Sequence, residues 1–365
     1  MKRLCKNSTC NERFLPKSIN HYYHDEACRK ATKVTRQDVE ILADELGVDT
    51  LDHTLLLSQA FSQKNEALRE VEKLKSLRQY LKYEIQNIPT KKIKRNLPTV
   101  HAGSKVLLLQ VGDWQVGKLE NGIGVVETAN RIAKLAASSR SIAKVHDVDY
   151  IVVQFLGDMI EGCYIYRGQN VTGLDRQGNT HRITVQIKTT AQEQAWFVEQ
   201  LSDPWDVLAM SVPGNHGRPN GINDYADQED NFDTLAAWWA EDITKHNDKV
   251  FWDIQENWKH EYNILGKNVL AMHGDQWTGP LDKINTLLPQ WIATGYIKQP
   301  DIVLLGHRHQ FEVRTIGSIT VVQNGTIDGG STWYTKAYGR ASKPQQTSLI
   351  ISQSHGLEAI YPIYF

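Results

Sequence analysis

Val106-Leu107-Leu108-Leu109-Gln110-Val111-Gly112-Asp113-Trp114-Gln115 is the stretch that decides how this chain folds. A nearly unbroken apolar run of strand length leads into a glycine and then a carboxylate. Such a run fits a strand buried on both faces, as in parallel or sandwiched sheets. The glycine lets the backbone turn sharply where the strand ends. Four later segments repeat the grammar. Residues 150–156 lead to Gly157-Asp158-Met159-Ile160-Glu161, and 207–212 to Gly214-Asn215-His216. Residues 268–272 lead to His273-Gly274-Asp275, and 302–305 to Gly306-His307-Arg308-His309. Helical patterns fall near 124–145, 189–202 and 230–245, and Gly266-Lys267, Gly317-Ser318 and His355-Gly356 predict hairpin turns. The alternation predicts an α/β layered domain, a sandwich of two mixed β-sheets with outer helices.

Around that core the 365 residues divide by texture. Residues 1–34 are rich in Cys, His, Lys and aromatics. Residues 35–90 read as helical: Thr35 is a candidate N-cap, and Ala67, Val71, Leu74, Leu77, Leu81, Ile85 and Ile88 make 64–88 a long amphipathic helix. That helix could pair as a coiled coil in a homo-oligomer or dock on the chain's own α/β domain. A basic linker, 91–104, carries Lys91, Lys92, Lys94 and Arg95, and 105–365 form the α/β domain. Residues 1–105 hold 20 Lys/Arg against 13 Asp/Glu, a net of +7; the rest hold 21 against 29, a net of −8. A basic front on an acidic body points to a polyanionic partner, with ordinary surface variation as the plainer alternative. No apolar run reaches membrane-span length, and the N-terminus lacks the apolar core of a secretory signal. Four cysteines do not suggest a disulfide scaffold, so a cytoplasmic setting is expected.

The five strand ends carry the chemistry. A single Asp or His after a strand is usually a satisfied structural hydrogen bonder. Five clusters in this order are far more specific. The set Asp113-x-Gln115, Gly157-Asp158, Gly214-Asn215-His216, His273, Gly306-His307-x-His309 resembles the calcineurin-like metallophosphoesterase superfamily. The resemblance covers roughly residues 105–330. It implies a four-layer fold and two divalent cations about 3.5 Å apart, which activate a shared water for in-line attack on phosphorus. By that resemblance Asp158 bridges the cations, Asp113, Gln115 and His309 complete the first site, and Asn215, His273 and His307 complete the second. His216 stabilises the transition state or protonates the leaving oxygen, with Glu161 as its orienting carboxylate. Arg218 is a candidate phosphate contact, with a solvated loop Arg as the alternative. Gln115 departs from the family pattern, which has His there. An amide oxygen is harder and weaker than an imidazole nitrogen, tilting the first site toward Mn²⁺ or Mg²⁺ over Zn²⁺.

In the first 34 residues Cys5, Cys10, His24 and Cys28 give three thiolates and one imidazole, a tetrahedral zinc set, with His21 as a rival ligand. The segment resembles a treble-clef finger. Structural Zn²⁺ would supply folding energy that so short a segment cannot find in a core. Lys and Arg interleaved with Phe14, Tyr22 and Tyr23 suit nucleic acid. The finger-plus-phosphoesterase layout looks like phage-encoded members of the repair-exonuclease branch, which would place it in a bacterial host cytoplasm. The leading expectation is a DNA nuclease. The alternative is a phosphatase or small-molecule phosphodiesterase whose front half binds protein or oligomerises.

Overall fold

The computed structural model describes residues 3–4, 13–14, 103–118, 123–163, 165, 169, 182–219, 230–277, 281–328 and 343–365. The chain divides into two compact units, Met1–Lys92 and Ile93–Phe365. In the first unit β1 (Arg3–Leu4) pairs antiparallel with β2 (Arg13–Phe14). Cys5, Cys10, His21, His24 and Cys28, the helix at 64–88 and most of the basic linker lie outside the described residues.

The second unit holds two mixed sheets. Their strands are β3 (Lys105–Val111), β4 (Tyr150–Phe155), β5 (Asp206–Ser211), β6 (Val250–Ile254), β7 (Lys259–Ile264), β8 (Lys267–Met272), β9 (Ile302–Leu305), β10 (Glu312–Ile316), β11 (Ile319–Gln323), β12 (Gln345–Ser352) and β13 (Gly356–Tyr364). One sheet runs β13-β12-β3-β4-β5-β6 and the other β10-β11-β9-β8-β7. β3 to β6 are mutually parallel, as are β8, β9 and β11.

Alternation along the buried strands builds the layers. In β3, Leu107, Leu109 and Val111 face a core that also holds Ile132, Leu135, Phe197 and Val198 from the helices. Val106 and Leu108 face the opposite core, shared with Val269, Ala271, Ile302 and Leu304 of the second sheet. A third core, under β8, β9 and β11, holds Trp277, Ile284 and Leu288. The order is therefore helix, sheet, sheet, helix. Each fully buried Leu or Ile contributes about 1.5–3 kcal/mol by leaving water.

The helices are α1 (Val125–His146), α2 (Ile183–Leu201), α3 (Phe232–Thr244) and α4 (Ile284–Ala293). α1 buries Thr128, Ile132, Leu135, Ala136, Ser139 and Ala143, one helical stripe. α2 begins earlier than the expected 189, and its buried Ala191, Ala195, Phe197, Val198 and Leu201 make it a core helix. Among the described residues no helix is long and apolar enough to cross a membrane.

Candidate metal centre

The parallel strands deliver their carboxyl ends to one place. Asp113 follows β3, Asp158 follows β4, Asn215 and His216 follow β5, His273 follows β8, and His307 and His309 follow β9. The backbone there is unusual. Asp113, Gln115, Asp158, His307 and His309 all have φ between 46° and 71°, in the left-handed region that non-glycine residues rarely occupy. Neighbouring glycines leave room for the carboxylates. A Cβ on Gly214 would lie 2.2 Å from Asp158 Oδ1, and one on Gly306 would lie 2.8 Å from Asp113 Oδ2.

His273 sits at the middle, fully buried. Its Nδ1 lies 2.7 Å from the Leu156 carbonyl oxygen, so Nδ1 carries the proton donated there. Its Nε2 then faces three acceptors: Asp158 Oδ2 at 3.0 Å, Asn215 Oδ1 at 3.1 Å and His307 Nδ1 at 3.2 Å. Asp158, His273 and His307 each offer a ligand atom within 4.8 Å of one another. Lone pairs converging from four loops call for a positive charge among them. Burial alone would push His273 down; the charge and hydrogen bond of Asp158, then Asp113 and Asp275, outweigh it and raise it to about 10. Burial likewise pushes the Asp158 carboxyl up, but His273, His216 and His307 hold it well below the usual carboxylate range. His307 is driven well below its ordinary value by burial and by the charge on His273. The donor set of Asp158, Asn215, His273 and His307 therefore fits a divalent cation. The backbone carbonyl behind His273 is the outer support that metal-bound imidazoles usually have.

Asp113 joins the same cluster. Both of its oxygens accept from the His307 amide at 3.1 Å, and His309 Nε2 lies 3.1 Å from Asp113 Oδ1. Gln115 is turned differently: its Oε1 accepts from Lys118 Nζ at 2.7 Å, and its Nε2 faces His216 Nε2 at 3.4 Å.

His216 enters from above Asp158, its amide donating to Asp158 Oδ1 at 2.7 Å. Its ring is oriented through Nδ1, which donates to the Glu161 carbonyl oxygen at 2.8 Å. The Glu161 carboxylate stands behind at 3.6 Å, and its Oε1 accepts from Gln169 Nε2 at 3.0 Å. The peptide carbonyl of Glu161 thus makes the hydrogen bond, while its carboxylate adds charge. Burial works against the His216 imidazolium; Asp158 and Glu161 outweigh it and raise the group to about 9. Arg218 is ion-paired with Asp275 beside His273. Cys163 is buried, and burial pushes its thiol up to about 11.

One organising residue carries no motif signal. Asp233, the first acid of α3, accepts from the amides of Asp158 (2.8 Å), Met159 (3.0 Å), Ile160 (3.2 Å) and Gly214 (3.0 Å). It ties the loop after β4 to the loop after β5. Burial and the charge of Asp158 push it up to about 6, while the amides of Gly214 and Ile160 pull the other way. Asn231, the N-cap of α3, was the one available hint.

No protein-family model and no curated protein matches this sequence. Solved structures do. An archaeal phosphodiesterase is 14% identical, covering 72% of this chain and 99% of its own, with a TM-score of 0.36. Zinc-complexed Vps29 of Entamoeba histolytica is 13% identical over 71% of this chain and 98% of its own, with a TM-score of 0.34. A predicted phosphoesterase of Streptococcus pneumoniae is 12% identical over 72% of this chain and 100% of its own, with a TM-score of 0.29.

Proposed function

We propose that this chain is a metal-dependent phosphodiesterase and that its substrate is nucleic acid, with DNA foremost. The carrying observation is the point at His273 Nε2 where Asp158, Asn215 and His307 bring lone pairs within 3.2 Å. Bound there, divalent cations would supply Lewis acidity: a water made acidic enough to act as nucleophile near neutral pH, and charge to neutralise a phosphate. Asp158, Asn215, His273 and His307 would hold one such cation, and Asp113 and His309 belong to a neighbouring position. Mn²⁺ suits a set mixing carboxylate, amide and imidazole.

The chain's own groups do the rest. His216 Nδ1 is committed to the Glu161 carbonyl, which leaves Nε2 as the atom that meets substrate. An imidazolium there can stabilise charge on a phosphate or hand its Nε2 proton to a leaving alkoxide. Arg218, held by Asp275, supplies a second cationic contact. The nucleic-acid part of the reading rests on the net charge of +7 over residues 1–105 and on the aromatic, basic composition of the first 34 residues.

The test is a Mn²⁺-supplemented assay comparing single-stranded DNA, duplex DNA, RNA and a chromogenic phosphodiester, with Asp158→Ala alongside. DNA is expected to be cleaved fastest, and the variant to lose about a thousandfold or more, in line with loss of electrostatic stabilisation at the reacting centre. Cleavage of the chromogenic ester but of no nucleic acid would move the reading to a small-molecule phosphodiesterase. Unchanged activity in Asp158→Ala would end it.

A further inference from the structure

Gln115 follows Asp113 by two residues, at the edge of the cluster, and Lys118 governs how it points. Lys118 Nζ lies 2.7 Å from Gln115 Oε1 and 2.6 Å from Asp328 Oδ2. Both charged side chains are largely buried, 11% and 7% exposed. Asp328 is braced in turn by the Thr326 hydroxyl, 2.8 Å from its Oδ1. The same hydroxyl lies 2.8 Å from the Asp113 carbonyl oxygen, so the segment after β11 that carries Asp328 adjoins the loop that presents Asp113.

An ammonium has three N–H groups and no lone pair, so the Gln115 atom facing Lys118 must be the oxygen. The nitrogen end of the amide is thereby turned toward the centre, where Gln115 Nε2 lies 3.4 Å from His216 Nε2. Lys118 thus sets the orientation, with the oxygen toward itself and the N–H toward the centre. A group presenting N–H cannot ligate a cation.

We infer that Lys118 locks the Gln115 carboxamide away from cation binding. The centre is then unequal: one cation position furnished by Asp158, Asn215, His273 and His307, and a second left with Asp113, His309 and a share of Asp158. Lys118 is a positioning residue, acting through Gln115. The inference rests on the phosphoesterase reading for the existence of cation positions, and adds that one of them is weak and why.

Mn²⁺ titrated into the full chain, with free ion counted by electron paramagnetic resonance, tests it. A thiolate-rich zinc set competes poorly for Mn²⁺. The wild-type chain is expected to bind one ion tightly and a second at least about tenfold more weakly, the size of an outer-support effect on metal affinity. Lys118→Met frees the amide to turn its oxygen inward, and the second affinity is expected to rise about tenfold. Removing a nearby positive charge also favours a cation, so the substitution is repeated in a Gln115→Ala background. There no amide can be released, and the gain is expected to fall to about twofold, the residue of one screened charge. An undiminished gain in that background would show charge rather than locking at work and overturn the inference. Two equally tight ions in the wild type would overturn it too, while leaving the phosphoesterase reading intact. No Mn²⁺ bound at all would sink both, and these wild-type outcomes need no variant to fold.

Discussion

Five cluster residues, Asp113, Gln115, Asp158, His307 and His309, hang from left-handed backbone. That conformation costs about 1–2 kcal/mol per non-glycine residue and persists only where the surroundings over-determine it. At Asp158 the surroundings are one carboxylate: Asp233 takes its amide and the amides of Met159, Ile160 and Gly214. In Asp233→Asn either amide orientation turns NH₂ toward some of those four N–H groups. We expect a loss of about 2–4 kcal/mol in urea unfolding, together with weaker Mn²⁺ binding. Stability within about 0.5 kcal/mol of wild type would show that the loops hold themselves. The ligand-type side chains could be picked out of the sequence because Asp, Asn and His after a strand and a glycine announce their chemistry. Asp233 could not, because its partners are backbone amides, which nearly every residue possesses. Lys118 escaped for a related reason: its effect on the centre passes through Gln115, and nothing in the sequence says which way an amide faces.

Between the sheets, below the cluster, lies a layer of buried glutamines. Gln110 donates to the carbonyls of Leu305 and Val322 at 2.9 and 2.8 Å, crossing from the first sheet to the second. Gln346 on β12 accepts from the Gly112 amide at 2.9 Å and donates to the carbonyls of Gly112 and Gly325 at 3.1 Å. These amides fix the strand ends from which the ligand loops spring. Gln346→Leu keeps the volume and strands three backbone groups, so about 2–4 kcal/mol of stability is expected to go. Mn²⁺ affinity should fall with it, since Gly112 carries Asp113; calorimetry and chemical unfolding on one sample read both. An apolar core would tolerate the change with little loss. At this scale the sequence was informative where runs were apolar: β3, β4, β5, β8 and β9 fall within a residue or so of the expected strands. It was silent for β6 and β7, whose Asp253, Lys259, Glu261 and Asn263 mark half-exposed edges rather than cores. α4 also escaped, because Pro289 inside it reads as a helix breaker.

For the molecule as a whole the dominant electrostatic fact is polarity along the chain, +7 over residues 1–105 and −8 over the remainder. If the front meets DNA phosphates, binding should weaken steeply with salt. Lys91→Glu with Lys92→Glu should then lower the slope of log K against log salt by about 1 for each phosphate no longer neutralised. Filter binding or fluorescence anisotropy across a salt series reads it. An unchanged slope would separate this stretch from DNA. The parallel order of the central strands has a practical side as well. Because the cluster residues gather at the carboxyl ends of these strands, the hairpins at Gly266 and Gly317 lie at the starts of β8 and β11, on the far rim, and a Cβ at either meets nothing within 4 Å. An epitope or surface tether spliced into those corners would sit at the opposite end of the strands from Asp113, Asp158 and His273, so the protein could be immobilised without touching the cluster.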